Sequence, residues 1–208
     1  MDGVLLDTEP LYTRAVAEIV GAYGKTFDWS VKRRMMGRGP LEGAELVIAE
    51  LGLPISPEEF IARMDPVLVG LFGAAPAMPG APELVAELSA RGVRLAIATS
   101  SRAQMFRLKT APHRWFSAFE AVVCGDDPSV LRFKPAPDIY LVAAERLRLA
   151  PSECLVVEDA PAGVAAAKAA GMLVFALPAP ELGEGLLGDA DRVLGDYAEL
   201  RLALLDAV

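Results

Sequence analysis

The chain has 208 residues, of which 53% are hydrophobic, and its 20 basic and 28 acidic residues give a formal net charge of −8. This composition is typical of a globular protein with a buried core, and the excess of acidic residues argues against a nucleic-acid partner. No apolar run approaches the roughly 18 residues of a membrane helix, and the acidic residues near the start argue against a secretory signal.

The first 77 residues carry helical patterns. Leu11, Ala15 and Ile19 recur at near-helical spacing, which predicts a helix that ends at Gly24. Further helices are predicted at about 30–36, 40–51 and 57–72. The last two open with proline or with a Ser-Pro-Glu-Glu start, which favours helix initiation.

From residue 78 onwards, helices alternate with short, unbroken apolar runs of strand length. Strands are predicted at 93–98, 121–124, 154–157 and 172–177, and helices at about 82–90, 102–110, 137–147 and 161–170. Continuous apolar strands separated by helices indicate a doubly wound, parallel α/β sheet that is covered on both faces. In such a sheet the chemistry collects at the carboxyl ends of the strands.

Polar residues follow the first of these strands, and a single lysine precedes a helix. Thr99 and Ser100 come directly after the run at 93–98. A hydroxyl group and backbone N–H groups at such a position can bind a phosphate, but serine and threonine are common helix caps, and on these residues alone the cap is favoured. Lys134 precedes a proline-rich helix start and is either a point charge for a phosphoryl group or an ordinary surface lysine.

Glu158 and Asp159 close the apolar run at 154–157. Adjacent carboxylates repel each other, so a nearby cation is expected, and oxygen ligands of this kind favour Mg²⁺. The rival interpretation is that Asp159 only caps the helix that opens at Pro161. Because the pair ends a buried strand, the metal site is favoured.

The remaining metal-binding residue types indicate no site of their own. Cys124 and Cys154 lie far apart in apolar runs and are interpreted as buried free thiols. His113 is the only histidine, so it cannot form a histidine-based metal site and is interpreted as a surface or turn residue.

Four short motifs resemble the signature of the haloacid-dehalogenase superfamily. They are Asp2-Gly-Val-Leu-Leu-Asp-Thr-Glu9, Thr99, Lys134 and the pair Glu158-Asp159. The resemblance covers the whole chain, and it implies a Rossmann-like core of residues 1–9 and 78–208, with a four-helix cap inserted at 10–77.

Longer segments resemble one branch of that superfamily, the pseudouridine-5′-phosphatases and plant glycerol-3-phosphatases. Among these segments are Met78-Pro-Gly80 and Gly125-Asp-Asp-Pro128. Arg132 and Phe133 depart from that branch, which has a glycine just ahead of the lysine.

The resemblance implies a role for each site residue. Asp2 would protonate the leaving alcohol and then activate water. Its backbone carbonyl would hold Mg²⁺ together with Glu158 and Asp159. The implied phosphate-binding residues are Gly3, Thr99, Ser100 and Lys134. On the cap, Arg38 and Glu42 are candidates for substrate selection, although they could equally be a solvated helix start.

The family's nucleophile is the first aspartate of its first motif, which would stand one position before Met1. Asp7 cannot replace it, because it lies five residues past Asp2. The strand that leads to this nucleophile is central in the family's sheet. Without it, two rows of buried backbone groups would be unpaired, each group costing about 1–3 kcal/mol. We therefore expect the sequence to start at an internal methionine, and the 208-residue chain to be inactive.

With the nucleophile present, the expected activity is that of a Mg²⁺-dependent phosphatase. It would hydrolyse a small phosphorylated metabolite, such as pseudouridine 5′-phosphate or glycerol phosphate, through an aspartyl-phosphate. The alternatives are a pseudoenzyme that binds phosphorylated ligands and a sugar phosphomutase. We expect a monomer in the cytoplasm with no membrane partner, and an organelle-targeting segment upstream is left open.

Overall fold

A computed structural model of the chain describes residues 1–35, 39–178 and 187–207. The helices in this part of the chain are α1 (Glu9–Gly21), α2 (Trp29–Met35), α3 (Pro40–Leu51), α4 (Pro57–Phe72), α5 (Ala81–Ala90), α6 (Ala103–Thr110), α7 (Asp138–Leu147), α8 (Pro161–Ala169) and α9 (Tyr197–Asp206). The strands are β1 (Ala96–Thr99), β2 (Ala121–Cys124), β3 (Leu155–Glu158), β4 (Leu173–Ala176) and β5 (Arg192–Val193). None of the described helices is both long and apolar enough to cross a membrane.

Helices α1 to α4 pack on one another around apolar side chains of their own. Val16, Val20, Val47 and Phe60 lie in this cluster and are almost fully buried. Helix α4 begins at a capped end, because the Ser56 hydroxyl accepts the backbone N–H of Glu59 at 3.1 Å. All four helices predicted for this segment are present. Whether they form a separate cap domain over residues 10–77 remains a prediction.

The chain enters and leaves this helical segment through two backbone stretches that lie side by side. The N–H of Asp7 donates to the carbonyl of Pro76, and the N–H of Met78 donates to the carbonyl of Leu5, both at 2.9 Å. Leu6 and Ala77 form an antiparallel bridge between them. The two crossings are therefore held together as one short ladder.

The strands confirm the α/β fold with parallel pairing. Strand β1 pairs in parallel with β2, β3 with β4, and β4 with β5. Helices α7 and α8 pack on these strands around the buried side chains of Val123, Val164 and Val174. The strand predicted at 93–98 begins later, at Ala96, and neither β5 nor α9 was predicted.

The described strands form two sheets, β1-β2 and β3-β4-β5, and a space separates β1 from β3. A cavity of about 460 Å³ fills this space, and the residues that line it include Ile97 of β1 and Val157 of β3. Met1 lines it too. Both strands run towards the same end of the molecule, since Thr99 and Glu158, their last residues, meet at a second cavity. The first cavity therefore lies between two strands that run in the same direction.

Candidate active site

The second cavity, of about 220 Å³, lies where β1 and β3 end, beneath helices α1, α3 and α4. Its lining includes the predicted site residues Asp2, Thr99, Ser100, Lys134, Glu158 and Asp159. Residues that are up to 157 positions apart in sequence therefore meet around one space. The expectation that chemistry collects at the carboxyl ends of parallel strands describes this geometry.

Glu158 is the most enclosed carboxylate of the cavity. Lys134 and the hydroxyl of Tyr140 both donate short hydrogen bonds to its Oε1 atom. Its Oε2 atom accepts the backbone N–H groups of Asp159 and Ala160, at 3.2 and 3.4 Å. Burial alone would raise the pKa of Glu158, but the Lys134 ammonium holds it below its ordinary value. Glu158 is therefore a fixed anion.

Two glycines permit the close approach of the carboxylates. A Cβ at Gly163, in the first turn of α8, would stand 2.1–2.4 Å from the carboxyl atoms of Glu158. A Cβ at Gly3 would stand 2.1 Å from Oδ2 of Asp159, and Gly3 also has a φ of +69°, which favours glycine. Gly3 thus touches the site through Asp159. Sequence reasoning did not single out Gly163.

Asp159 differs electrostatically from its neighbour. Burial, and then the negative charge of Glu158, raise the pKa of Asp159 to about 7. Asp159 does not cap helix α8. The helix begins after Ala160 with no side-chain cap, and the backbone N–H groups of Asp159 and Ala160 donate to Glu158 instead. Its carboxylate is left with the repulsion of Glu158, which a cation would relieve.

The donor set fits Mg²⁺ better than a metal that needs a full protein cage. Within residues 1–35, 39–178 and 187–207, no group of three or more His, Cys, Asp or Glu side chains is arranged to hold a metal. Magnesium usually takes one or two protein carboxylates and completes its shell with water and substrate phosphate. Two adjacent carboxylates at a cavity wall match this coordination preference of Mg²⁺.

Asp2 is held in place by three donors. Thr8 Oγ1 and Lys109 Nζ each lie 2.6 Å from its Oδ1 atom, and Ser101 Oγ lies 3.2 Å from Oδ2. Burial would raise the pKa of Asp2, but the charges of Lys109 and of the N-terminal ammonium, together with the hydrogen bonds from Lys109 and Thr8, hold it below its ordinary value. A carboxylate fixed in this way cannot rotate freely within the cavity.

Lys109 was missed by the sequence reasoning. Its side chain is fully buried, with Nζ 2.7 Å from Ser101 Oγ and 4.8 Å from the ring centroid of Phe72. The aromatic face stabilises the ammonium group. In the sequence Lys109 is simply a basic residue in the last turn of α6, where lysine and arginine are common because they interact favourably with the helix dipole. Only the structure, in which its side chain is buried, reveals the contact with Asp2.

Thr99 and Ser100 lie at the end of β1 as predicted. Thr99 is buried, and its Oγ1 accepts the N–H of Ser101 at 3.1 Å. The favoured cap interpretation was wrong for α6, because the N–H of Ala103 at its start donates to Asp126 Oδ1 at 2.8 Å. Thr99, Ser100 and Ser101 line the cavity at this end of β1.

The remaining candidates lie outside the site or outside the described residues. Arg38 belongs to residues 36–38, which the structure does not describe. Glu42 is exposed on the first turn of α3, where Gly43 and Ala44 line the cavity instead. The Nε2–H group of His113 donates a hydrogen bond to the carbonyl of Ala75 at 2.8 Å.

Both cysteines are free thiols. Burial raises the pKa of Cys124 and of Cys154, so the neutral thiol is favoured in each case. Cys124 is buried as predicted, and Cys154 is only partly buried.

Comparison with known proteins identifies relatives of this chain. A family model described as haloacid dehalogenase-like hydrolase matches residues 1–171. The chain is 44% identical to (DL)-glycerol-3-phosphatase 1, mitochondrial, of Arabidopsis thaliana, over 97% of the chain and 70% of that protein. It is also 44% identical to a probable pseudouridine-5′-phosphatase of Drosophila melanogaster, over 97% of the chain and 89% of that protein.

Solved structures agree with the fold. The crystal structure of CbbY from Rhodobacter sphaeroides in complex with phosphate superposes with a TM-score of 0.81 at 29% identity, over 99% of the chain and 96% of that protein. A mutant of the same protein in complex with xylulose-(1,5)bisphosphate superposes with a TM-score of 0.79 at 28% identity, over 96% and 93%.

Proposed function

Because the chain belongs to the haloacid dehalogenase-like hydrolases, we propose that it is a Mg²⁺-dependent phosphatase of small phosphomonoester metabolites. The observation that carries the proposal is the convergence of Asp2, Thr99, Lys134, Glu158 and Asp159 on one cavity. The names of the relatives, which describe phosphatases of glycerol phosphate and pseudouridine phosphate, support this substrate class.

The phosphoryl group would be bound between β1 and the lysine loop. Lys134 supplies positive charge and Thr99 a hydroxyl donor, both from the core side of the cavity. Transfer of a phosphoryl group spreads negative charge over its oxygens, so fixed donors stabilise the transition state more than the ground state. Since Glu158 also holds Lys134, the lysine is oriented before a substrate arrives.

Asp2 would move the proton. Its carboxylate lies at the cavity wall, where Thr8 and Lys109 fix its position. The lowered pKa favours the ionised form that accepts a proton from water, and donation to the leaving alcohol requires a proton gained once an anionic phosphate binds beside it. The covalent route needs a second aspartate as nucleophile, and we propose that an aspartate joined directly to Met1 serves as that residue.

Glu158, Asp159 and the backbone carbonyl of Asp2 would hold Mg²⁺. The ion supplies positive charge that screens the phosphoryl oxygens from these carboxylates. Without it, three acidic groups would face an anionic substrate in the same space.

The test is phosphate release from glycerol 3-phosphate and pseudouridine 5′-phosphate by the chain extended with a strand ending in aspartate. We expect Mg²⁺-dependent turnover that is lost with EDTA and reduced at least about 100-fold by Lys134→Gln. Ligand binding without turnover would favour the pseudoenzyme, and conversion of a sugar phosphate into its isomer would favour the mutase.

We further propose that the protein acts as a monomer in the cytoplasm. Size-exclusion chromatography with light scattering tests the first part, and a fluorescent fusion tests the second. The mitochondrial designation of the Arabidopsis relative makes mitochondrial fluorescence the informative contrary result.

A further inference from the structure

One ion pair joins the helical segment to the α/β part at the wall of the active-site cavity. Asp65 lies in α4, and Arg102 immediately precedes α6. Both carboxylate oxygens of Asp65 lie 2.6 Å from Nη2 of Arg102. Both side chains line the cavity. The pair therefore sits where the part of a substrate beyond its reacting phosphate would lie.

The cavity has more acidic than basic side chains in its wall, although Lys109 and Lys32, which lie behind the wall, pair with two of the acids, Asp2 and Glu9. Its described lining contains five acidic residues and two basic residues, which are Asp2, Glu9, Asp65, Glu158 and Asp159 against Arg102 and Lys134. Both cations are already paired with carboxylates, Lys134 with Glu158 and Arg102 with Asp65. A second phosphate on the substrate would thus meet a wall whose described lysine and arginine side chains are already paired with carboxylates.

The rest of the wall beside this pair is apolar. It is formed by Phe60, Ile61, Met64 and Leu68 of α4 and by Met105 of α6. Such a surface suits carbon atoms, while the guanidinium and carboxylate edges can bond to hydroxyl groups without a change in net charge. A neutral, hydroxyl-bearing alcohol matches both features.

We propose that Asp65 sets the charge selectivity of the site by neutralising Arg102. The cavity then takes phosphomonoesters whose alcohol part is uncharged and disfavours sugar bisphosphates. This inference rests on the proposed phosphatase function and names its substrate class. It also separates this chain from the Rhodobacter sphaeroides protein whose structure contains a sugar bisphosphate.

The test is calorimetric binding of a matched ligand pair, ribose 5-phosphate and ribose 1,5-bisphosphate, to the full chain in the presence of Mg²⁺. Asp65→Asn removes one negative charge with little change in shape and releases the guanidinium. We expect the affinity for the bisphosphate to rise about tenfold, because a charge-assisted bond to phosphate replaces the one to Asp65. The affinity for the monophosphate should change less than about twofold.

Two further variants keep the test specific. In Asp65→Asn combined with Arg102→Gln, the gain should vanish, since the released cation is gone. Glu59→Gln is the matched control, because Glu59 is in the same helix and pairs with Arg63 outside the cavity. It should leave both affinities unchanged, and thermal melting checks that every variant is folded.

The outcomes separate this inference from the function on which it rests. If the original chain binds the bisphosphate as tightly as the monophosphate, or if Asp65→Asn gives no gain, the selectivity proposal is wrong while the phosphatase proposal stands. A gain that persists in the double variant would equally overturn it. If neither ligand binds any variant, the proposed function fails, and the selectivity fails with it.

Discussion

The space between β1 and β3 allows a quantitative prediction for a strand that is joined to Met1. We would join six apolar residues ending in aspartate to Met1, which lines both that space and the active-site cavity. The segment should fill the cavity of about 460 Å³ as a strand parallel to both neighbours. Its last residue would then reach the wall that Asp2 occupies.

The stabilisation can be estimated from the two facing edges. Strands β1 and β3 have 4 residues each. In a parallel ladder alternate residues face a given neighbour, so each edge offers about four hydrogen bonds and the two together about eight. At about 1 kcal/mol each, they contribute about 8 kcal/mol at most.

Two other terms act on the inserted residues. Ordering each residue costs about 1–2 kcal/mol, and burial of each apolar side chain returns about 1.5–3 kcal/mol. These two terms roughly offset one another. We therefore expect the added strand to raise the free energy of unfolding by about half of the hydrogen-bond contribution, which is about 4 kcal/mol. For a chain of this size that corresponds to a rise in Tm of about 10 °C.

The assay compares four proteins by thermal melting and by Mg²⁺-dependent phosphate release. They are the original chain and the chain extended by a strand ending in Asp, by the same strand ending in Asn, and by a Gly/Ser segment of equal length. The first two extensions should raise Tm alike, the Gly/Ser control should not, and only the Asp version should turn over substrate. Equal melting of all four would refute the strand site, and turnover by the original chain would show that the nucleophile is misplaced.

Three substitutions test the site itself. Gly163→Ala should displace the Glu158 carboxylate and lower turnover of the Asp-extended protein at least tenfold, because the new Cβ would stand 2.1 Å from that carboxyl group. Gly73→Ala is the matched control, because nothing lies within 4 Å of a Cβ at that position. It should leave turnover unchanged. The pKa of Asp159, raised to about 7, means that its folded state prefers the protonated form, so this contribution to stability is present below about pH 4 and is lost as pH rises to about 7. Asp159→Asn should therefore stabilise the metal-free protein by about 4 kcal/mol at pH 8 and hardly at all at pH 4, as calorimetry can show. Lys109→Met should lower the free energy of unfolding in urea by about 2 kcal/mol, and an unchanged value would mean that its ion pair contributes nothing.

Local signals carried most of the fold. Each of the four helices before residue 78 has its own apolar spacing or start signal, and each core strand is an unbroken apolar run. Helix α9 also had a signal that went unused, since Asp196 caps it by accepting the N–H of Glu199 at 2.9 Å. Strand β5 had no such signal, because it consists of only two residues, Arg192 and Val193, and both are exposed.

The site was predictable where function fixes the residue type and not where packing does. The paired acids at the end of β3 predicted a cation site, and Glu158 and Asp159 do line one cavity with Thr99 and Lys134. The burial of Lys109 depends on Asp2, which is 107 residues away, and the need for glycine at position 163 depends on how closely Glu158 approaches α8. Contacts of this kind arise from the tertiary structure alone, so no sequence window contains them.

The ladder between residues 5–7 and 76–78 has a consequence for how such proteins change over time. Because the two backbone stretches are hydrogen-bonded to each other, the segment between them starts and finishes at nearly one point. A piece attached in this way can be shortened, enlarged or exchanged while the strands below keep their positions. The α/β part can thus keep its strand ends unchanged while the helical residues that line the cavity above them are replaced as a unit.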